Sequence, residues 1–156
     1  MNQKAHSDWH SPLPSSHLGL WLHRLSDDFQ QRTLDKCRLR GHRKFRSSHS
    51  AVINHLDPIG VSLGDLATRI GISQQAAGKV VRDLERAGYV ERELDMSDKR
   101  SRIIRLSAAG TALQCDMAEI LVEVCGEYRD VLGSEPLQFF EQQLQKAVGA
   151  LSEARR

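Results

Sequence analysis

Few cysteines, few aromatic residues and no long apolar run distinguish this chain of 156 residues. Its three cysteines, Cys37, Cys115 and Cys125, form no CxxC spacing, so the sequence predicts a reducing compartment and no disulfide framework. Aromatic residues make up 5% of the chain, which favours a helical protein over a β-sandwich. Prolines and serines in residues 11–16 interrupt any apolar signal segment near the N-terminus. We therefore expect a cytoplasmic protein that does not enter a membrane.

Residue sets typical of catalysis or metal binding are also missing. No Ser-His-Asp set, Gly-rich phosphate loop or pair of acid-base carboxylates stands out in the sequence. All seven histidines lie at or before His55, so the second half of the chain has none to offer a metal. The sequence thus predicts neither an enzyme nor a cofactor or metal site.

The net charge of +2 hides an uneven distribution. Residues 1–61 hold nine Lys/Arg against five Asp/Glu, and residues 62–107 hold nine against seven. Residues 108–156 reverse the balance, with four basic against eight acidic residues. A basic face directed at a polyanion, with an acidic remainder, produces such a split. Acidic side chains that merely solvate C-terminal helices explain part of it.

The centre of the chain, residues 63–107, has the pattern of two short helices followed by a hairpin. Leu63, Leu66 and Ile70 recur at three- and four-residue spacing and predict one apolar face of the first helix. Gly71 suits the left-handed conformation that ends a helix, and Ile72 is expected to fill the corner. The spacing thus indicates a tight turn between the two helices.

The second helix is predicted over Gln74–Ala87, with Ser73 as its N-cap. Gly88 then ends it, and two strands are expected over residues 89–94 and 101–106. Its apolar stripe consists of Ala77, Val80, Val81 and Leu84, and its surface is expected to hold Gln74, Gln75, Gly78, Lys79 and Arg82. This element order is that of a winged helix-turn-helix.

Long amphipathic helices flank the module on both sides. Residues 1–14 read as a flexible tail, and a helix begins near Ser15 or Ser16 with its apolar stripe at Leu18, Trp21, Leu22, Leu25 and Phe29. A shorter helix is expected over residues 47–56, with Val52, Ile53 and Leu56 inward. Val61 is expected to add a strand to the hairpin, and Ser62 with Asp65 resembles a capping box.

On the C-terminal side, Ser107 is expected to cap a helix that runs from Ala108 to about Leu132. After a break at residues 133–136, the last helix carries Leu137, Phe140, Leu144, Val148 and Leu151 at heptad-like steps. The fold class is therefore mainly α with a small β-wing. Residues 15–45 and 108–156 are predicted to form a helical dimerisation region, and residues 46–107 the winged helix-turn-helix domain.

Between His49 and Leu113 the chain closely resembles the multiple-antibiotic-resistance regulator (MarR) family of transcription factors. The resemblance is carried by LGDLA before GIS at residues 63–73, by LERAGYVER at residues 84–92, and by DMSDKRS leading into LSAAG at residues 95–110. It implies a homodimer whose first and last helices intertwine, with two winged modules on a pseudo-palindromic operator in double-stranded DNA. The expected function is a sequence-specific transcription regulator, most often a repressor. A winged-helix module that binds protein is the alternative class.

Within the second helix, Gln74 and Gln75 stand at the end that normally faces base edges in the major groove. Ser73 offers a hydroxyl or amide to a phosphate, although capping alone explains it. Gly78 either permits close approach of the backbone to DNA or is a tolerated surface glycine. Lys79 and Arg82 are expected to reach bases or phosphates, and for Arg82 a salt bridge is an equal alternative.

Within the hairpin, Arg100 is expected to insert into a narrow minor groove, whose negative potential attracts arginine. Asp98, two residues earlier, is expected to brace the guanidinium, as in the family's wing pattern. Lys99 and Arg102 are predicted phosphate contacts, which position the protein without specifying sequence.

The resemblance also implies a small phenolic or anionic effector, bound between the dimer helices and the winged module. Basic residues of the segment 38–46, together with Trp21 and Phe29, are candidates for its cleft, although a solvated or DNA-flanking role is the stronger prediction. A redox-responsive member is a further alternative. The family's peroxide sensors place their cysteine near the start of the first helix, whereas Cys37 lies near its end, and Cys115 and Cys125 are expected to be packing residues.

Overall fold

The computed structural model describes residues 17–56, 59–94 and 102–154. The fold is mainly α-helical with a small antiparallel sheet, as the sequence predicts. No helix in these three ranges is long and apolar enough to cross a bilayer. The elements in chain order are α1 (Leu18–Leu39), α2 (Ser47–Ile53), β1 (Val61–Ser62), α3 (Leu63–Ile70), α4 (Gln74–Ala87), β2 (Val90–Leu94), β3 (Arg102–Leu106), α5 (Ala108–Leu132) and α6 (Ser134–Glu153).

The helix-turn-helix begins and ends at residues whose local chemistry fixes its boundaries. The Ser62 hydroxyl oxygen accepts the Asp65 N–H at 3.1 Å, and the hydroxyl donates to the Asp65 carboxylate at 2.7 Å. Gly71 ends α3 at φ +75°, and the Ser73 Oγ accepts the Ala76 N–H at 3.2 Å to start α4. Both caps and the turn are therefore confirmed.

Ile72 does not fill the corner between α3 and α4, contrary to the sequence prediction. Its side chain is 40% exposed, while its backbone N–H closes the turn by donating to the Ala67 carbonyl at 3.1 Å. Leu66 and Ala67 of α3 are buried at this point. The left-handed turn at Gly71 thus places the next side chain on the surface.

The sheet has the strand order β1-β3-β2, and both pairs are antiparallel. Val61 lies opposite Ile104, which confirms the short strand expected before the helix-turn-helix. Strands β2 and β3 pair from Val90 with Leu106 to Leu94 with Arg102. The hairpin therefore holds the end of α4 against the start of α5.

Two helix ends differ from the sequence prediction. Helix α1 begins at Leu18, with His17 as its N-cap, since the His17 ring Nδ1 accepts the Leu20 N–H at 3.2 Å; the sequence predicted a start near Ser15 or Ser16. Helix α2 ends at Ile53, three residues before Leu56, which is nevertheless buried. Helices α5 and α6 lie where they were expected.

One apolar core joins the winged module to the inner parts of α1 and α5. Its fully buried members include Ile53, Leu66, Leu84, Ile104, Leu113 and Ile120, from five different elements. Helix α6 contributes only Leu137 to the buried set within the described residues, and the rest of its apolar side chains are exposed. The module and the long helices are thus one packed unit, whereas α6 lies outside the core.

A ladder of ion pairs joins α1 to α5. Its cations are Arg32 and Lys36 on one face of α1 and Arg40, the C-cap residue, at the same four-residue spacing. Arg32 Nη1 lies 2.8 Å from Glu127, Lys36 Nζ lies 3.0 Å from Glu123 and 2.9 Å from Glu127, and Arg40 bonds Asp116, Glu119 and Glu123. Half of the acidic residues in the C-terminal region therefore neutralise α1, beyond the solvating role that the sequence suggested.

Candidate nucleic-acid interface

Helix α4 exposes a polar face that begins at its first turn. Ser73, Gln74, Gln75, Lys79 and Arg82 are exposed, whereas Ala77, Val81 and Leu84 are fully buried. The two sets alternate with the helical period, so the buried stripe fixes which side chains face outward. Apart from Gly78, the arrangement matches the surface predicted for this helix.

Two of these side chains lie along the module surface. The amide Nε2 of Gln74 lies 3.1 Å from the position that a Cβ on Gly64 would occupy, so Gln74 packs against the start of α3. The Arg82 guanidinium lies 3.5 Å from the corresponding position on Gly78 and covers that glycine. Gln75 and Lys79 complete the exposed face of α4.

Gly78 is buried, which corrects its predicted place on the surface. A Cβ at this position would meet Leu63 Cδ2 and Arg82 Nη1, each at 3.5 Å, which is ordinary van der Waals contact. Helix α3 approaches α4 here, and the Arg82 side chain closes the remaining opening. The glycine thus lies within the helix pair, and an alanine would fit in its place.

The tip of the wing lies outside the described residues. This applies to Asp98, Lys99 and Arg100, which belong to residues 95–101. Arg102 is described: it is exposed, and it opens β3 opposite Leu94 at the end of the paired strands. The pair Leu94–Arg102 is therefore the last described step of the hairpin.

The basic segment before α2 divides into two parts with different surroundings. Arg38 pairs with Asp35 at 2.7 Å, and Arg40 belongs to the ladder with α5. Arg43, Lys44 and Arg46 instead line a cavity of 390 Å³, together with His49, Asp83, Arg86 and Ala87. Neither Trp21 nor Phe29 lines this cavity, so the basic segment and those aromatic residues do not share one cleft.

A second, smaller cavity lies between α1, α2 and α5. It measures 180 Å³, and the rings of Phe29 and Phe45 line it together with the polar side chains of Ser47, Ser50 and Asn54. Met117 and Leu121 close its α5 side. An aromatic and aliphatic wall with a few hydroxyl and amide groups is typical of sites for small ring-shaped ligands.

The three cysteines have different environments. Cys37 is buried with its Sγ 3.4 Å from Met117 Sδ, and burial raises the pKa of its thiol, which disfavours the reactive thiolate. Cys115 is exposed, which contradicts its predicted packing role, and Cys125 is half-buried in a groove between α1, α5 and α6. In the parts of the chain that the structure describes, no three His, Cys, Asp or Glu side chains form a metal cluster.

Apolar side chains are exposed along the outer helices. The set comprises Leu18, Trp21 and Leu22 of α1, Val122, Val131 and Leu132 of α5, and Phe139, Phe140, Leu144, Val148 and Leu151 of α6. Several of them line two open grooves between these helices, of 370 and 470 Å³. An apolar surface of this extent is typical of a protein interface.

Sequence reasoning missed the α1–α5 ladder and two histidines. The four-residue spacing of Arg32, Lys36 and Arg40 was a visible signal for a cationic stripe, but its partners lie more than 75 residues away. His42 is buried with Nε2 2.8 Å from Asp116, and His49 is buried beneath the basic cavity. Nothing in the local sequence marks either histidine as buried.

Comparisons with known proteins agree with this geometry. Residues 46–101 match the model of the MarR family. Among solved structures, S. aureus MepR in complex with DNA is 17% identical with a TM-score of 0.68, and covers 87% of this chain and 99% of its own. Wild-type E. coli MarR in its apo form is 16% identical with a TM-score of 0.67, covering 86% and 98%. A MarR transcriptional regulator from Methanosarcina mazei Go1 is 19% identical with a TM-score of 0.69, covering 88% and 97%.

Proposed function

We propose that this protein is a homodimeric transcription regulator that binds double-stranded DNA, because residues 46–101 match the model of the MarR family and the described chain is similar in fold to E. coli MarR. The observation that carries the proposal is the exposed polar face of α4 on a module of this family. A similar fold is found in MepR bound to DNA.

In this proposal α4 enters the major groove with its N-terminal end foremost. Gln74 and Gln75 contact base edges, since glutamine pairs well with adenine, and Lys79 and Arg82 contact guanine or phosphates. Ser73 offers its hydroxyl or the helix-start amides to a phosphate. Gly78 is buried beneath the Arg82 side chain, so the contact at this point comes from the Arg82 guanidinium.

The wing supplies the second contact. Arg100 enters the minor groove with Asp98 beside it, and Lys99 and Arg102 bind the phosphate backbone. The exposure of Arg102 at the first position of β3, opposite Leu94, supports this arrangement.

Two copies of the chain pair through the outer helices, residues 15–45 and 108–156. Pairing would cover the exposed apolar side chains of α1, α5 and α6, for which the described chain offers no cover of its own. Residues 46–107 then form the DNA-binding domain of each copy. A twofold dimer presents its two recognition helices about 34 Å apart, which requires a pseudo-palindromic operator.

The regulator acts as a repressor that a small molecule releases. The cavity of 180 Å³ between α1, α2 and α5 lies between the dimer helices and the module, and its phenylalanine walls suit a phenolic ring. A ligand there would contact both parts and thereby shift their relative position.

Selection of bound sequences from fragmented genomic DNA tests the function. The expected result is a set of fragments that share a pseudo-palindrome with half-sites about one helical turn apart. A gel shift on DNA upstream of the protein's own gene gives a second measurement. If no fragment is enriched above a matched Gln74→Ala/Gln75→Ala variant, the helix does not read DNA, and a protein-binding winged module takes the place of this proposal.

A further inference from the structure

The basic cavity at the other end of α4 has a polar floor and a charged rim. Arg43, Lys44, Arg46 and Arg86 are exposed at its rim, whereas His49 is only 2% exposed. Asp83 contributes the single acidic side chain of the lining. With a neutral imidazole, the lining therefore carries four positive charges against one negative charge.

The hydrogen bonds of His49 decide which of its ring nitrogens carries the proton. The Arg46 backbone N–H donates to His49 Nδ1 at 3.2 Å, so Nδ1 is an acceptor and the neutral ring bears its hydrogen on Nε2. Burial and the nearby Arg46 lower the pKa of His49, which favours this neutral form. His49 Nε2 is buried and has no hydrogen-bond partner.

An unpaired buried N–H is costly, and its residue, His49, lines a cavity whose other side chains include four cations. Within the described residues, Arg86 is the only one of the four rim cations in an ion pair, at 3.4 Å from Asp83. The turn between α1 and α2 brings Arg43, Lys44 and Arg46 to one cavity, and no carboxylate of the described residues forms an ion pair with any of the three. The unpaired N–H of His49 and the unpaired cations of the rim both favour an oxyanion as the ligand, since its oxygens accept hydrogen bonds and carry negative charge.

We propose that this cavity binds a small oxyanion, a free phosphate or carboxylate group, with His49 as the neutral donor at its floor and Arg86 with the cations of residues 43–46 at its rim. The anion accepts the Nε2 hydrogen of His49 and takes the arginine guanidinium groups as charged donors. The Asp83 carboxylate repels the anion and competes for Arg86, so the ligand replaces Asp83 as the partner of that guanidinium.

A backbone phosphate of DNA has the same chemistry, and the position of the cavity favours the free anion. Arg86 lies twelve residues after Gln74, which places it about 18 Å along α4 from the end proposed to read bases. The floor group is also buried, and a phosphate fixed within a duplex cannot enter as a small anion does. Binding of the anion does not depend on the proposed function. The proposed function enters only where the free anion is compared with a phosphate of the DNA backbone.

The experiment uses the full-length protein labelled with ¹⁵N and follows the imidazole nitrogens of His49 by NMR. Inorganic phosphate and acetate are titrated separately at constant pH and ionic strength, with chloride as the balancing ion. The expected result is a saturable shift of the His49 Nε2–H signal with at least one of the two probes. Arg86→Gln should weaken that binding about tenfold, because it removes a charged donor. Arg38→Gln removes the same charge outside the cavity and should leave the affinity for the anion unchanged.

The outcomes separate the possible sources of the anion. A saturable shift that is lost in Arg86→Gln, while this variant keeps the affinity of the wild-type protein for its selected DNA, supports the free-anion site. Loss of DNA affinity in Arg86→Gln without a saturable shift in the wild-type protein assigns the cavity to the DNA backbone and overturns the proposal. A shift that rises linearly with anion concentration, and equally in Arg86→Gln and Arg38→Gln, reflects general ionic screening. This result also overturns the proposed site.

Discussion

His42 Nε2 lies 2.8 Å from Asp116 Oδ2, and this contact joins the turn after α1 to helix α5. The pair continues the ladder of Arg32, Lys36 and Arg40 by one further step. At the opposite end of the ladder, the Tyr128 hydroxyl donates to Asp28 at 2.6 Å. The contact between α1 and α5 is therefore polar along most of its length, in contrast to the apolar core beside it.

The ladder predicts that the protein loses stability in acid. Hydrogen bonds hold the pKa values of four carboxyls below their usual range: His42 acts on Asp116, Lys36 on Glu123 and Glu127, and Arg32 on Asp28. Because the folded pKa values are lower than the unfolded ones, this stabilisation is complete above the unfolded values of about 4. It is lost as the pH falls through the folded values.

The measurement is the urea midpoint between pH 6 and pH 3 at one protein concentration. The wild-type midpoint should fall steeply below about pH 4.5. The midpoint of Glu123→Gln should be lower than that of the wild type at pH 6 and should fall less as the pH decreases. Glu153→Gln, which removes a carboxylate near the end of α6, is the control and should follow the wild type. Parallel curves for the wild type and Glu123→Gln would contradict the role of the ladder.

Replacing Gly78 by alanine should stabilise the protein. Alanine is favoured over glycine inside a helix by about 1 kcal/mol, and the added Cβ would make only ordinary contacts. The expected rise in melting temperature is about 3 °C. Differential scanning calorimetry checks it, and a fall in melting temperature would show that α3 and α4 lie closer than described.

Gly110→Ala is the contrasting change, since a Cβ there would lie 1.9 Å from the Tyr89 carbonyl oxygen. It should lower stability by about 3 kcal/mol, because the backbone must move to admit the methyl group. The two alanine variants therefore differ in sign although both replace a buried helical glycine.

Val148→Asp should shift the protein from dimer to monomer. Val148 is 64% exposed on the apolar face of α6, where a buried carboxylate would oppose association. Light scattering after size-exclusion chromatography measures the mass. Gln142→Glu adds a negative charge about 120° away on the same helix and should remain dimeric. A Val148→Asp protein that stays dimeric at micromolar concentration would remove this face of α6 from the interface.

Lys79→Ala should weaken binding to selected DNA and reduce the slope of log affinity against log salt by about 1. The reason is that one fewer phosphate charge would be neutralised on binding. Lys146→Ala, which removes an exposed lysine from α6, is the control. Fluorescence anisotropy at several salt concentrations measures both slopes, and equal slopes for the two variants would exclude Lys79 from the interface.

Arg100→Ala should reduce DNA affinity by tenfold or more, about 1.4 kcal/mol, while the circular dichroism and the mass of the dimer stay unchanged. The loss should be largest on sites whose flanking minor groove is narrow, since those attract arginine most strongly. Unchanged affinity on such sites would remove Arg100 from the contact.

Local chemistry explains why most element boundaries could be predicted from the sequence. The start of α4 at Ser73, its end at Gly88 and the start of α5 at Ser107 each depend on one capping side chain or one glycine. The exposed face of α4 followed from the same periodicity. Such features involve residues within four positions of one another, and the sequence displays them directly.

Features that depend on distant parts of the chain could not be predicted in this way. Gly78 is buried because α3 packs on it. Arg40 reaches carboxylates 76 or more residues away, and His49 is buried only when α2 and α4 come together. In each case the surroundings of the side chain are set by packing, which the order of residues does not show.

Ser107 joins the end of helix α4 to the start of the long helix α5. Its hydroxyl donates to the Gly88 carbonyl at 2.6 Å and its oxygen accepts the Gly110 N–H at 3.1 Å, while its backbone N–H donates to Tyr89 at 3.0 Å. These three hydrogen bonds fix the end of α4 relative to the start of α5. In the proposed dimer, a change in the angle between the two α5 helices would therefore change the distance between the two α4 helices.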